Sequence, residues 1–276
     1  MKLSIVLSTQ MTSFQAATLS GDLRSNFAAL HAMGYDGVEL AVREPALVDA
    51  DAIACLAEEF KMSIPAIGTG QAWGEEGLSF TDPNPGIRRL AIERIKSHVP
   101  LAARFNAIII IGLVRGILKP GVSQDQALEW LAEALRECCR AAAQQGVRLA
   151  LEPINRYETT LVNSVAEGLD LIKSVDAENF GLLLDTFHMN IEEPDMETSM
   201  RACGSRIFHF HVADSNRWYP GAGHLDFPGL LQTLADTGFT GFVSGEFMAK
   251  PDALTAAQKS IIHLRPILAK LDRCGS

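Results

Sequence analysis

Short β-rich runs alternate with longer amphipathic stretches along the whole chain. Leu3–Ser8, Gly37–Leu40, Ile64–Gly68, Ala107–Gly112, Arg148–Glu152, Phe180–Asp185, Ile207–Val212 and Phe242–Glu246 read as eight strands. Helical patterns fill the intervals, at about 22–33, 49–61, 85–104, 123–145, 164–174, 194–203, 227–237 and 251–271. Runs such as Ile108–Ile111 and Leu182–Leu184 are apolar at every position. That is how a strand reads when helices cover one face and a packed interior the other. Ser123 stands before an Ala/Leu/Glu-rich stretch, and Ser164 and Glu167 have capping-box spacing. Gly34 and Gly146 follow helical stretches, where a left-handed residue closes the helix.

No Pro/Ser/Gly-rich linker divides these units, so residues 1–276 read as one α/β domain, a single (β/α)8 TIM barrel. The alternative is a doubly wound open sheet. That fold usually carries a Gly-rich first turn for phosphate, and the turn here, Ser8-Thr-Gln-Met-Thr-Ser13, has no glycine.

Composition narrows the partners. The chain has 24 Lys+Arg against 33 Asp+Glu, a net charge of −9, which disfavours a phosphate backbone and so a nucleic-acid partner. A local arginine could still hold a small anion. Cys55, Cys138, Cys139, Cys203 and Cys274 are odd in number and contain no CxxC, so reduced structural thiols and a cytoplasmic setting are expected. The opening MKLSIVLSTQ reads as a strand rather than a signal peptide. No run approaches the roughly 18 apolar residues of a membrane span.

The strand ends carry the chemistry, because barrel active sites lie at the C-terminal rim. The fifth run ends in Glu152, the sixth in Asp185, the seventh carries His209 and His211, and the eighth ends in Glu246. One acid at a strand end is ordinarily a helix cap or a surface charge. Three on one rim would repel each other unless something positive sat between them. A divalent cation supplies that charge. Three oxygens and one imidazole suit Mn²⁺, Mg²⁺ or Co²⁺ better than Zn²⁺. His211, nearer the strand end, is the expected ligand, and His209 a hydrogen-bonded core residue. In the loops beyond, His188 and Arg217 can grip substrate oxygens. Plainer readings exist: a turn-capping histidine for His188 and a surface ion pair for Arg217.

These residues bring a resemblance into view. Leu151-Glu-Pro-Ile-Asn-Arg-Tyr-Glu158, Asp185-Thr-Phe-His-Met-Asn-Ile-Glu-Glu193, His209-Phe-His-Val-Ala-Asp-Ser-Asn-Arg217 and Gly245-Glu246 resemble the metal-dependent sugar isomerase/epimerase superfamily with the xylose-isomerase-like barrel. The likeness is to ketose 3-epimerases of the D-tagatose/D-psicose type. Through Gly37–Arg43, Ile67–Gln71 and Ile110–Arg115 it extends to the enzymes that interconvert 5-keto-L-gluconate and D-tagaturonate. The resemblance implies Glu152, Asp185, His211 and Glu246 as ligands of a divalent metal, usually Mn²⁺. It implies Glu152 and Glu246 as the catalytic acid/base pair, and Glu158, His188 and Arg217 as substrate-binding. It also implies a homo-oligomer, dimer or tetramer.

The expected reaction inverts the carbon next to the ketone of a ketose or keto-acid sugar through an enediolate. Inversion needs proton removal on one face and delivery on the other, which two carboxylates provide. Arg115, just past the fourth strand, is expected to pair with a substrate carboxylate in a fork. Arg43 is the alternative, and an internal ion pair with Glu44, Glu75 or Glu76 the plain reading of either. Three other functions compete. An aldose–ketose isomerase of the hydroxypyruvate isomerase type would share the metal site. A zinc endonuclease would need histidines on strands three and four, which end Ile67-Gly-Thr-Gly70 and Ile111-Gly-Leu113. A sugar-binding protein would have no use for paired acid/base carboxylates.

Overall fold

Eight apolar runs pair in parallel, each with the next in the chain and the last with the first, which closes a barrel and rules out the open sheet. The structure is a computed structural model that describes residues 1–10, 16 and 18–274. Met11–Ser13 of the glycine-free first turn and the Cys274 side chain lie outside what is described. The strands are β1 (Lys2–Ser8), β2 (Glu39–Ala41), β3 (Ala66–Gly68), β4 (Ile108–Ile111), β5 (Leu149–Leu151), β6 (Phe180–Asp185), β7 (Ile207–Val212) and β8 (Phe242–Gly245). The helices are α1 (Leu23–Met33), α2 (Ala50–Glu59), α3 (Gln71–Glu76), α4 (Pro85–Phe105), α5 (Gln124–Ala143), α6 (Val165–Val175), α7 (Thr186–Glu192), α8 (Met196–Cys203), α9 (Phe227–Asp236) and α10 (Ala253–Cys274). Among the described residues no helix is long and apolar enough to cross a membrane.

The expected caps form. Ser123 Oγ accepts from Gln126 N at 3.2 Å, Ser164 and Glu167 make the reciprocal box, and Gly34 closes α1 at φ 92°. Two short helices, α3 and α7, were not expected. Both are shorter than two turns, too short to show a 3.6-residue period. The second starts at Asp185, whose Oδ1 accepts from Phe187 N at 2.6 Å and His188 N at 3.3 Å. A strand-end carboxylate thus caps a helix with one oxygen and keeps the other for the barrel mouth.

Strand parity sorts the core into two parts. Leu3, Ile5, Leu7, Leu40, Ile67, Ile109, Ile111, Leu149, Leu151, Leu182, Leu184, Phe210, Val212 and Val243 face the helices in one large cluster. The opposite parity points into the barrel. There Ala66, Ile108, Ile110, Ala150 and Leu183 form a separate small cluster. Ser4, Glu39, His209 and Ser244 are buried alongside. The interior is therefore partly polar, and its polar groups rise toward the C-terminal rim. Cys138, Cys139 and Cys203 are buried free thiols and Cys55 an exposed one, in keeping with reduced cysteines.

Candidate metal centre

Inward parity brings Glu152, Asp185, His211 and Glu246 to one point. Their ligand atoms all lie within 4.8 Å of one another. His211 Nδ1 is 3.7 Å from Glu152 Oε1 and 3.8 Å from both Asp185 Oδ2 and Glu246 Oε2. These spacings are too long for hydrogen bonds. Glu152 Oε1, Asp185 Oδ2 and His211 Nδ1 are buried and have no hydrogen-bond partner among the described residues. Ligands bound at about 2.1 Å to one cation would themselves stand roughly 3–4 Å apart, so the cluster fits an oxygen-rich divalent site. The local charge agrees. Burial, and beyond it Glu152 and Asp185, push the Glu246 carboxyl up to about 8. Burial would depress His211, but Glu39 and Glu246 hold it well above its ordinary value. The His211 shift reports negative charge gathered around the imidazole, and the Glu246 shift reports burial reinforced by its carboxylate neighbours.

Glu39 orients the imidazole. It projects inward from β2, across the barrel from β7, and is 1 % exposed. Its carboxylate accepts from His209 Nε2 at 2.8 Å and from His211 Nε2 at 3.0 Å. The Glu39 bond thus fixes a proton at His211 Nε2 and turns Nδ1 toward the other three ligands. Burial alone would raise the Glu39 carboxyl; His211 and His209 hold it below the usual carboxylate range instead. Glu39 is not among the residues that the sequence singles out as candidates. His209 is the hydrogen-bonded interior residue expected.

Above the ligands, His188, Glu158 and Arg217 line the mouth. Asn155 Nδ2 donates to Glu158 Oε1 at 2.9 Å and sits 2.7 Å from His188 Nδ1, while Asn155 Oδ1 accepts from Tyr157 N. His188 Nδ1 therefore accepts, and the neutral ring carries its proton on Nε2, 3.7 Å from Glu152 Oε1. Arg217 Nη1 donates to Glu158 Oε1 at 2.6 Å, and Nη2 lies 3.6 Å from Glu246 Oε2. Its backbone stands at φ 60°, an unusual conformation for arginine. Arg217 N bonds to Asp214 O, Arg217 O to Met248 N, and the buried Asp214 carboxylate gathers Ser215 N, Gly221 N and Leu225 N. That web holds the strained residue in place.

The arginines expected near a substrate carboxylate lie elsewhere. Arg115 is fully buried in a 3-10 turn, Leu113–Arg115, and does not line the cavity. Its guanidinium donates to the carbonyls of Gly112 at 3.1 Å, Val162 at 2.9 Å, Leu161 at 3.3 Å and Glu152. It holds the backbone under the Glu152 ligand rather than facing a substrate. Arg115→Met should therefore cost about 3–5 kcal/mol of stability by stripping buried carbonyls of their donor. Urea unfolding checks this, and a change under about 1 kcal/mol would contradict it. Arg43 Nε lies 3.5 Å from Glu76 Oε1, the internal ion pair weighed above.

The cavity over the ligands measures about 520 Å³, within the usual range of small-molecule sites. Val6, Ala41, Trp73, Ile110, Leu113 and Met248 form much of its wall. Trp218 stands outside the cavity lining and carries Lys250 over its ring at 5.6 Å.

Comparison with known proteins gives this geometry a context. Residues 27–267 match the family described as xylose isomerase-like TIM barrel. An L-ribulose 3-epimerase of Mesorhizobium japonicum is 29 % identical over 236 residues, 84 % of this chain and 78 % of the relative. A D-psicose 3-epimerase of Ruminiclostridium cellulolyticum is 41 % identical over 181 residues, 64 % of this chain and 61 % of the relative. The crystal structure of D-psicose 3-epimerase with D-tagatose from Clostridium cellulolyticum H10 superposes at TM-score 0.84 with 23 % identity, covering 97 % of this chain and 99 % of that one.

Proposed function

The chain belongs to the xylose isomerase-like TIM barrel family, and from that premise we propose that it is a divalent-metal-dependent ketose 3-epimerase. The observation that carries the reading is the convergence of Glu152, Asp185, His211 and Glu246 on one point, with three of their buried ligand atoms lacking a hydrogen-bond partner among the described residues. A cation held there would act as a Lewis acid, stabilising negative charge that develops on the sugar's oxygens. We propose Mn²⁺, with Co²⁺ and Mg²⁺ sharing the same donor preference.

The protein's own groups supply the rest. Glu152 and Glu246 come from strands three places apart and reach the cavity from different directions. One takes the proton from the carbon beside the ketone and the other returns a proton to the opposite face. His188 presents its Nε2–H to a substrate oxygen. Glu158 and Arg217, already bonded to each other, offer an acceptor and donors to neighbouring hydroxyls. The apolar wall limits water around the reacting carbon.

Substrate charge follows from the cations. Among the described residues Arg217 is the one Lys or Arg in the cavity lining, and Glu158 engages it. Uncharged ketoses such as D-psicose or D-tagatose therefore suit the cavity best. A keto-acid, the 5-keto-L-gluconate/D-tagaturonate pair, is the second reading, its carboxylate falling to Arg217. Turnover of D-psicose, D-tagatose, 5-keto-L-gluconate and hydroxypyruvate with Mn²⁺ separates these. In D₂O the expected product carries one deuterium at the inverted carbon with the carbonyl unmoved. Higher kcat/KM for 5-keto-L-gluconate would favour the acid, and turnover of hydroxypyruvate alone would establish the isomerase instead.

A further inference from the structure

Gln71 begins α3 directly after β3, the strand diametrically across the ring from β7 and its His211. It lines the cavity and is 6 % exposed. Its amide is locked by a chain of hydrogen bonds through the first two strands. Gln10 Nε2 donates to Glu44 O at 2.9 Å, and Gln10 Oε1 accepts from Arg43 N and Glu44 N, each at 3.1 Å. The Ser8 hydroxyl, buried on β1, donates to Gln10 O at 2.6 Å. That carbonyl can only accept, so the Ser8 proton is committed and Ser8 Oγ can only accept in turn. Gln71 Nε2 meets that need at 2.8 Å. The amide orientation thus follows from the network, and it leaves Gln71 Oε1 buried with no hydrogen-bond partner among the described residues.

A glutamine present only to pin the loop would use the Nε2 bond and gain nothing from a buried bare carbonyl, which costs stability until a donor reaches it. We infer that Gln71 is a specificity-determining residue: its Oε1 accepts a hydrogen bond from a sugar hydroxyl at the end of the substrate remote from the four metal-ligating side chains. This rests on the epimerase reading of the same cavity and adds to it which chemical group the far wall recognises. A hydroxyl donates to that carbonyl, whereas a deoxy carbon leaves it bare.

The test is a cycle of one side chain against one hydroxyl. Binding of D-psicose, 1-deoxy-D-psicose and 6-deoxy-D-psicose is measured by calorimetry with Mn²⁺ present, for wild type and Gln71→Leu, together with kcat and KM. Wild type should bind one of the two deoxy sugars about 10- to 100-fold more weakly than D-psicose. In Gln71→Leu D-psicose should weaken by a similar factor through KM, with kcat within about threefold, and the deoxy penalty should shrink to under about threefold. The wild-type arm needs no variant, so indifference to both deoxy sugars overturns the inference even if Gln71→Leu fails to fold; Gln71→Glu, which keeps an acceptor oxygen, should fold and retain the deoxy penalty. Turnover of D-psicose with indifference to both deoxy sugars overturns the role of Gln71 alone, as does a deoxy penalty that survives in Gln71→Leu. Wild type that converts neither D-psicose nor 5-keto-L-gluconate overturns the epimerase reading, and this inference with it.

Discussion

Glu246→Gln should lower kcat by about 10³-fold or more, because it removes one member of the proton-transferring pair and weakens a metal ligand together. The change is nearly isosteric. The glutamine amide fills the same space beside His211 and Arg217, so the barrel should keep its fold and circular dichroism spectrum. Relief of crowding among Glu152, Asp185 and Glu246 should even help the metal-free protein slightly, since burial and those neighbours already oppose ionisation of Glu246. Loss of turnover without loss of fold is therefore the expected signature. Exchange with D₂O of the hydrogen that faces Glu152 should fall less than inversion, because that step uses the remaining carboxylate. Activity near that of wild type would remove Glu246 from the mechanism.

Stripping the divalent ion with a chelator should bring activity to background and restore it when Mn²⁺ returns. The same treatment should lower the melting temperature. An ion present at about a hundredfold over its Kd stabilises by about 2.7 kcal/mol, which for a barrel of this size corresponds to roughly 5 °C. The direction follows from the unsatisfied Glu152, Asp185 and His211 atoms, which gain their partner only with the ion. Asp185→Asn should shrink the thermal response, whereas a substitution at exposed Lys173 should leave it intact. A chelator that changed neither stability nor rate would contradict the metal reading.

Much of this was legible along the chain because barrel periodicity is simple. Strand runs were read from apolar content, and the four ligand candidates from being the last polar residues of consecutive runs. What failed to show were contacts across the ring. Glu39 sits on β2 and meets His209 and His211 on β7, a pairing that depends on closure and inward parity rather than on sequence spacing. Arg115 follows β4 as a rim residue should. The 3-10 turn, however, folds its guanidinium back onto the carbonyls of Gly112, Glu152, Leu161 and Val162, which no local pattern announces. Gln71 was visible only as part of Ile67–Gln71, since its meaning comes from Ser8 and Gln10 on another unit. The helix after Asp185 was hidden for the opposite reason: a seven-residue element is capped by the very residue that ends the strand.

The most direct measurement is the position of Mn²⁺ in crystals of the protein, located by anomalous scattering near the manganese edge. One ion per chain should lie at the mouth of the barrel, contacting Glu152, Asp185, His211 through Nδ1, and Glu246. An ion bound elsewhere, or no ion at this point in fully active crystals, would contradict this expectation.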